Sequence, residues 1–232
     1  MPKQTKKQNK RIIAQGAEAI LIRQGTILKK DRIKKSYRHK NLDTFLRASR
    51  TRHESRIMDK ASKLILIPKI LKTTEHEIDM DFIEGEKLSN YLDKMPESKA
   101  IKVCRTIGQQ VSKLHQANII HGDLTTSNMI WINKTKGSAK LKLKRIKPQD
   151  KLHTNSKLYF IDFGLSFHSP RVEDKAVDLH LIKQAIESKH FKKSNIYMKN
   201  IITGYKESNP QSSQILKQLE KVESRGRYKG KH

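Results

Sequence analysis

Short apolar runs dominate the start of the chain. From Ile12 to Lys30 they are broken at Gln15-Gly16 and Gln24-Gly25, the pattern of three short strands joined by turns, with Lys30 at the end of the third. After the turn-like stretch Tyr37 to Asn41 the apolar period lengthens. Leu42, Phe45, Leu46, Ile57, Met58, Ala61 and Leu64 then mark a helix, and Glu54 lies inside it. Alternation returns where Ile78, Met80 and Phe82 interleave with Asp79, Asp81 and Ile83, a strand that stops at Glu84-Gly85. Beyond Gly85 helical spacing prevails: Ile101, Cys104, Ile107, Val111 and Leu114 predict a helix over Lys99 to Gln116. Met129 to Ile132 and Leu158 to Ile161 read as a strand pair. Helices follow over Val177 to Ile186, Phe191 to Glu207 and Ser212 to Glu223.

Charge refines this layout. Residues 1–11 carry five basic side chains and no acid, which predicts a disordered basic arm. The stretch from Lys134 to Lys151 holds eight basic residues against Asp150, and its alternation through Lys140-Leu141-Lys142-Leu143-Lys144 predicts an exposed hairpin. The expected organisation is therefore an arm over 1–11, an N-terminal lobe over 12–85, a C-terminal lobe over 86–223 and a basic tail over 224–232.

At 232 residues and 35% hydrophobic content the chain can build one domain or two small lobes, but not a second large catalytic domain. Lysines and arginines number 50 against 23 acids, a formal charge of +27. Such a surface suits a polyanionic partner, RNA foremost, with a merely solvated lysine-rich surface as the alternative. Cys104 is the single cysteine, which excludes an internal disulfide and an all-cysteine zinc site. No apolar run approaches the ~20 residues of a membrane span, and the basic N-terminus lacks a signal peptide's apolar core. A soluble, intracellular protein is expected.

Two blocks carry the chemistry. HGDLTTSNMI, His121 to Ile130, is followed 34 positions after Asn128 by Asp162 of IDFG, Ile161 to Gly164. Phosphoryl transfer needs a group that orients the nucleophile and hard oxygen ligands for magnesium beside the phosphates. Asp123 supplies the first and Asn128 with Asp162 the second, so ATP and Mg2+ are the expected cofactors. A strand lysine facing the phosphates and a helix carboxylate fixing it would complete the set, with Glu54 in the second role. Lys29 and Lys30 compete for the first, because neighbours on a strand face opposite ways. Glu54 as an exposed helix charge is the competing reading.

Three departures separate the chain from regulated protein kinases. The phosphate-covering stretch, Gln15-Gly16-Ala17-Glu18-Ala19, has one glycine where G-x-G-x-x-G is usual; Gly122 replaces the arginine of H-R-D; and no A-P-E follows Phe163-Gly164. Without that arginine, switching by loop phosphorylation is not expected.

Taken together, QGAEA (Gln15 to Ala19), LKKDRIKKSYRHKNLD (Leu28 to Asp43), RTRHESR (Arg50 to Arg56), FIEG (Phe82 to Gly85), HGDLTTSN, IDFGLSF, VEDKAVDL (Val172 to Leu179) and the terminal SRGRYKG resemble one family over nearly the whole chain. It is the small atypical serine/threonine kinase and ATPase subunit of the KEOPS (EKC) complex, the yeast bud-site-selection and mammalian PRPK family. The resemblance implies an α+β fold, compact, bilobal and protein-kinase-like: a small N-terminal lobe of β-sheet plus one main helix, then a mostly helical lobe. It selects Lys30 over Lys29, since the family's strand lysine stands two positions before an arginine (Arg32) and eight before that of Tyr37-Arg38. By the same carry-over Glu54 is the helix glutamate, Asp123 the catalytic aspartate, and Asn128 and Asp162 the magnesium ligands. The nucleotide would meet Gln15, Gly16, Ala17, Glu18, Ala19 and Lys30, with Met80, Asp81 and Ile83 at the adenine. The implied work is ATP hydrolysis or protein phosphorylation in support of threonylcarbamoyl-adenosine formation on tRNA, in the cytoplasm and, in a eukaryote, the nucleus. Implied partners are the threonylcarbamoyl-transferase subunit, other KEOPS subunits, and tRNA held through the basic surface and tail, where Arg225, Arg227, Lys229 and Lys231 supply charge.

Two other classes compete. Aminoglycoside- or choline-type phosphotransferases also use HGDxxxxN, but Phe163-Gly164 and the lack of a large acceptor-binding insertion speak against them. A non-catalytic RNA- or partner-binding scaffold would have no use for all of Lys30, Glu54, Asp123, Asn128 and Asp162.

Overall fold

The computed structural model describes residues 10–133 and 156–227. Strands β1 (Lys10–Gln15), β2 (Ala19–Gln24), β3 (Ile27–Arg32), β4 (Ile70–Thr73) and β5 (Glu77–Asp81) form one antiparallel sheet in the order β1-β2-β3-β5-β4. Gly25, at φ 62°, makes the tight turn from β2 to β3, a left-handed conformation that glycine adopts without steric cost. Between β3 and β4 runs helix α1 (Lys40–Ala61), which packs on β4 and β5 through a buried face that includes Ala48, Thr51, Glu54, Ile57, Met58 and Ala61.

The chain leaves the sheet at Gly85, where an added Cβ would lie 2.7 Å from the Trp131 carbonyl. There follow β6 (Glu86–Lys87), α2 (Leu88–Tyr91), α3 (Glu97–Gln116), β7 (Ile119–Ile120), β8 (Met129–Ile132), β9 (Lys157–Phe160), β10 (Phe167–His168), α4 (Val172–Lys189), α5 (Ser194–Ser208) and α6 (Ser212–Arg227). β6, β8 and β9 form a small antiparallel sheet, and β7 pairs with β10. Helices α3 and α5 touch backbone to backbone: a Cβ on Gly108 would fall 1.9 Å from the Ile201 carbonyl oxygen, and one on Gly204 would fall 2.1 Å from that of Arg105. One apolar core runs from Ile57 and Met58 of α1 through Ile107 and Leu114 of α3 to Ile215 and Leu219 of α6. No helix among the described residues is long and apolar enough to cross a membrane.

Several expected boundaries move. Lys10 and Arg11, placed in a disordered arm, belong to β1 and pair with Gln24 and Arg23, because a strand edge needs backbone partners and no apolar side chains. β3 continues past Lys30 to Arg32. On α1, Leu42 and Phe45 are 51% and 63% exposed; the first turn turns Asp43 inward instead, where Arg47 Nε at 2.7 Å and the Lys35 amide at 3.1 Å satisfy its carboxylate. Val177 is exposed on a longer α4, whose buried face carries Ala176, Asp178, Leu179, Ile182 and Ile186. Phe191–Lys193 form a 3-10 turn ahead of α5, and α6 continues through Arg227 into the expected tail. There Arg225 donates to Glu173 at 2.5 Å. The expected hairpin between Lys134 and Lys151 lies outside the described residues, as do the arm up to residue 9 and the tail from 228.

Candidate active site

The HGD loop leaves β7 and enters a 3-10 turn, Thr126–Asn128, that leads directly into β8. Asp178 of α4 anchors it from beneath. Fully buried, its carboxylate accepts the backbone amides of His121 at 2.9 Å and Gly122 at 3.0 Å and the His115 ring at 3.1 Å. His115 meets the Tyr205 hydroxyl at 2.9 Å through its other nitrogen. Gly122 sits at φ 77°, and a Cβ there would fall 2.3 Å from the Leu165 carbonyl oxygen, so the arginine of H-R-D has no room. Asn128 donates to both the Asp123 carboxylate (2.7 Å) and its carbonyl (3.0 Å), which fixes the two residues to each other.

The second group meets where β3, α1 and the segment after β9 converge. Lys30 Nζ lies 2.6 Å from Glu54 Oε1 and 2.8 Å from Asp162 Oδ1. Glu54 is only 1% exposed, so its reading as a solvated helix charge falls away. Lys29 faces the other side of β3, where it pairs with Glu77 at 2.6 Å and Asp79 at 3.2 Å. Asp162 holds a left-handed backbone at φ 62°, rare for a side-chain-bearing residue and typical of strained functional positions. Gly164 closes in beside it: a Cβ would stand 3.2 Å from Asp162 Oδ1 and 3.3 Å from Lys30 Nζ.

Backbone joins the two groups. The Ile161 amide donates to the Asn128 carbonyl at 2.9 Å, Ser166 Oγ donates to the His121 carbonyl at 2.8 Å, and the ring of His53 on α1 meets the Ser166 carbonyl at 2.8 Å.

The phosphate-covering stretch forms the β1–β2 turn. Gln15 ends β1, Ala19 begins β2, and the Gly16 amide donates to the Ala19 carbonyl at 3.0 Å. Glu18 pairs with Arg50 of α1, and Lys35 donates to the Ala17 carbonyl. Among the described residues a Cβ on Gly16 would meet only the Ala19 carbonyl oxygen, at 3.8 Å, an ordinary van der Waals contact. Met80 is buried opposite Leu28, Asp81 ends β5, and Ile83 is half-buried beyond it. These three lie along β5 and its exit, on the strand that pairs with β3.

Charge states follow from surroundings. Burial opposes the charge on Lys30, but Glu54 and Asp162 outweigh it and raise its pKa above the ordinary 10.5. For Asp162 burial again works against charge, and Lys30 outweighs it, so the carboxyl stays below 3.8. Asp178 is likewise held below 3.8: burial opposes ionisation, and His115, His121 and the loop amide overcome it. His121 goes the other way, with burial lowering it below 6.5 against the pull of Asp178, Asp123 and Asp162.

Lys30, Glu54 and Asp162 are thus brought together, and Asp123 and Asn128 with each other. Asp178, His115 and Arg32 were not singled out from the sequence for this site. A charged residue amid the buried spacing of Ala176, Leu179 and Ile182 was the available signal for Asp178; Arg32 is 6% exposed and donates to Glu54 Oε2 at 2.6 Å.

A family model described as the RIO domain matches residues 21–137. The KEOPS complex subunit Bud32 of Pyrococcus abyssi is 38% identical over 208 residues, which cover 88% of this chain and 84% of that protein. The EKC/KEOPS complex subunit BUD32 of Encephalitozoon cuniculi is 36% identical, covering 92% and 93%. A probable bifunctional tRNA threonylcarbamoyladenosine biosynthesis protein of Methanobrevibacter smithii is 34% identical; 94% of this chain matches 36% of that longer protein. Among solved structures, the Rio2 kinase-ADP/Mg2+-phosphoaspartate complex from Chaetomium thermophilum aligns at a TM-score of 0.55 and 14% identity, over 94% of this chain and 70% of that one, which shows a shared kinase-like fold. By sequence and by fold, the chain belongs to the Bud32 family of RIO-domain, kinase-like proteins.

Proposed function

We propose that this chain is a magnesium- and ATP-dependent atypical serine/threonine kinase and ATPase that acts as a KEOPS subunit in support of threonylcarbamoyl-adenosine modification of tRNA. One observation carries the reading: Lys30, Glu54 and Asp162 share a contiguous ion-pair cluster, and Asn128, backbone-bonded to Ile161, grips Asp123 beside it. That is the equipment of phosphoryl transfer, where catalysis is mostly positioning and charge stabilisation.

The donor set fits magnesium. Asn128 commits its amide nitrogen to Asp123, leaving the amide oxygen, and Asp162 commits Oδ1 to Lys30 and the Gly164 amide, leaving Oδ2 on a half-exposed side chain. Two hard oxygens suit an ion that keeps most of its waters. When bound, Mg2+ would neutralise phosphate charge. Lys30 would offer its ammonium to phosphate oxygens while Glu54 fixes its direction. Asp123 would accept a hydrogen bond from the attacking hydroxyl or water and hold it in line. Gly16, open to ordinary contact among the described residues, would let the turn backbone approach the nucleotide, and Met80, Asp81 and Ile83 would border the adenine.

The partners in this reading are a threonylcarbamoyl-transferase subunit, other KEOPS subunits and tRNA, in the cytoplasm and in the nucleus where one exists. The +27 charge supports the tRNA assignment. So do the bifunctional relatives, named for tRNA threonylcarbamoyladenosine biosynthesis, of which this chain matches about a third. Magnesium-dependent ATP turnover by the purified chain, with and without the transferase subunit, is the test. Asp123→Ala and Asp162→Ala should each lose ~100-fold or more; undiminished turnover in either would overturn the assignment.

A further inference from the structure

Glu54 is a carboxylate with two cations. On β3, Lys30 and Arg32 are two residues apart and therefore face the same side, and both reach the same buried acid of α1, Glu54. Lys30 takes Oε1 at 2.6 Å and Arg32 takes Oε2 at 2.6 Å, with Arg32 6% and Glu54 1% exposed. The same guanidinium nitrogen approaches the Arg50 carbonyl, one turn back on α1, at 3.4 Å. Arg50 in turn sends its side chain to Glu18 in the β1–β2 turn. Sheet, helix and turn thus share one string of polar contacts with Arg32 in its middle.

This changes what Lys30 is free to do. Its second partner, Asp162, is 51% exposed and so the more easily exchanged of the two. A polyanion entering beside Lys30 competes for the ammonium with both carboxylates. With a lysine as sole partner, Glu54 would then keep Lys30 back or be left buried with too little counter-charge, and α1 would lose its polar tie to β3. Arg32 removes that conflict. It stays charged, its planar fork is less strongly hydrated than an ammonium, and it keeps Glu54 neutralised wherever Lys30 turns.

We propose that Arg32 is a positioning residue for the phosphoryl-transfer site: by holding Glu54 and α1 in place, it releases Lys30 to serve the nucleotide phosphates. α1 is thereby docked before any nucleotide or partner arrives. This inference rests on the nucleotide reading above.

The test combines binding and turnover in six proteins: wild type, Arg32→Ala, Arg32→Gln, Arg32→Lys, Glu54→Gln, and Arg32→Ala in the Glu54→Gln background, with Glu54→Gln as the reference for the last. Binding is read with the fluorescent analogue mant-ATP in the absence of magnesium, and turnover as kcat/KM for ATP with it. Arg32→Ala should weaken mant-ATP binding about 10-fold and lower kcat/KM about 100-fold, the scale of a small misplacement of reacting groups. Arg32→Gln, which keeps a polar side chain and removes the charge, should behave alike and stands in for Arg32→Ala should that variant not fold. Arg32→Lys should recover to within about 10-fold of wild type, since it restores a counter-charge. In the Glu54→Gln background the Arg32 substitution should cost less than about 3-fold, because its target is gone.

Losses that multiply in the double variant would overturn the proposal, since Arg32 would then act independently of Glu54. A silent Arg32→Ala, or an Arg32→Lys as damaged as Arg32→Ala, would overturn it too. If wild type itself neither binds mant-ATP nor turns over ATP, the nucleotide reading fails and this inference falls with it; wild-type activity with a silent Arg32 sinks the inference alone.

Discussion

The two halves of the site are secured by opposite means. In the sheet-bound half, side-chain charges hold one another: Lys30, Arg32, Glu54 and Asp162, with Asp162 half in solvent. In the helical half, one buried carboxylate, Asp178, holds the main chain of the HGD loop through two amides and is itself braced by His115. Side-chain ion pairs can trade partners without disturbing the backbone. Backbone amides cannot; if they lose Asp178 they are orphaned. The first arrangement therefore suits a residue that must turn toward a ligand, and the second a residue whose place must not vary.

The sharpest way to break this contrast is Asp178→Ala. It strands three donors in the interior and should destabilise the fold by about 3–5 kcal/mol in urea unfolding, with turnover lost alongside. A loss under about 1 kcal/mol would mean that the loop carries its own conformation. Glu54→Gln is the matching change in the other half. Lys30 keeps Asp162 and Arg32 keeps the Arg50 carbonyl, so unfolding should cost about 1.5–3 kcal/mol, while mant-ATP affinity and turnover suffer more than stability does. Equal stability losses in the two variants would erase the distinction.

Acid provides the mildest probe. Burial keeps His121 neutral below its ordinary 6.5, so as pH falls through 6.5 the unfolded chain binds a proton that the folded chain refuses, and stability drops. Asp162 and Asp178 are held below 3.8 and keep their contributions until pH falls under that value; Lys30, raised above 10.5, loses its own only on the alkaline side. Among the described residues, then, the shifted group that responds between pH 6.5 and 3.8 belongs to the loop. The urea midpoint should decline from pH 7.5 to 5, more gently in His121→Gln, and an unchanged slope in that variant would remove His121 from the account.

How much of this was legible beforehand depends on distance along the chain. Asp123 and Asn128 stand five apart, and their relation is local, so spacing alone exposed it. The strand pair β8–β9 was legible from its two apolar runs; its register, Met129 opposite Phe160, came from the structure. The choice between Lys29 and Lys30 was not settled by the strand pattern, because alternation says that they diverge without saying which side holds Glu54. Arg32 and Asp178 were harder still. Each is a charged residue whose burial makes sense only once a partner many positions away is in place, and a single chain does not announce such pairings. The inward Asp43 misled the apolar reading of α1 likewise, since hydrophobicity ranks Leu42 and Phe45 above an acid that has Arg47 to neutralise it.

The contact between α3 and α5 leaves no clearance for drift. Gly204 abuts α3 and Gly108 abuts α5, and Tyr205, the next residue, delivers its hydroxyl to His115 and so to Asp178. A methyl group at either glycine would wedge the helices apart by more than a hydrogen bond tolerates. The accuracy with which the HGD loop is seated is in this sense machined at a helix crossing made of two residues with no side chain at all.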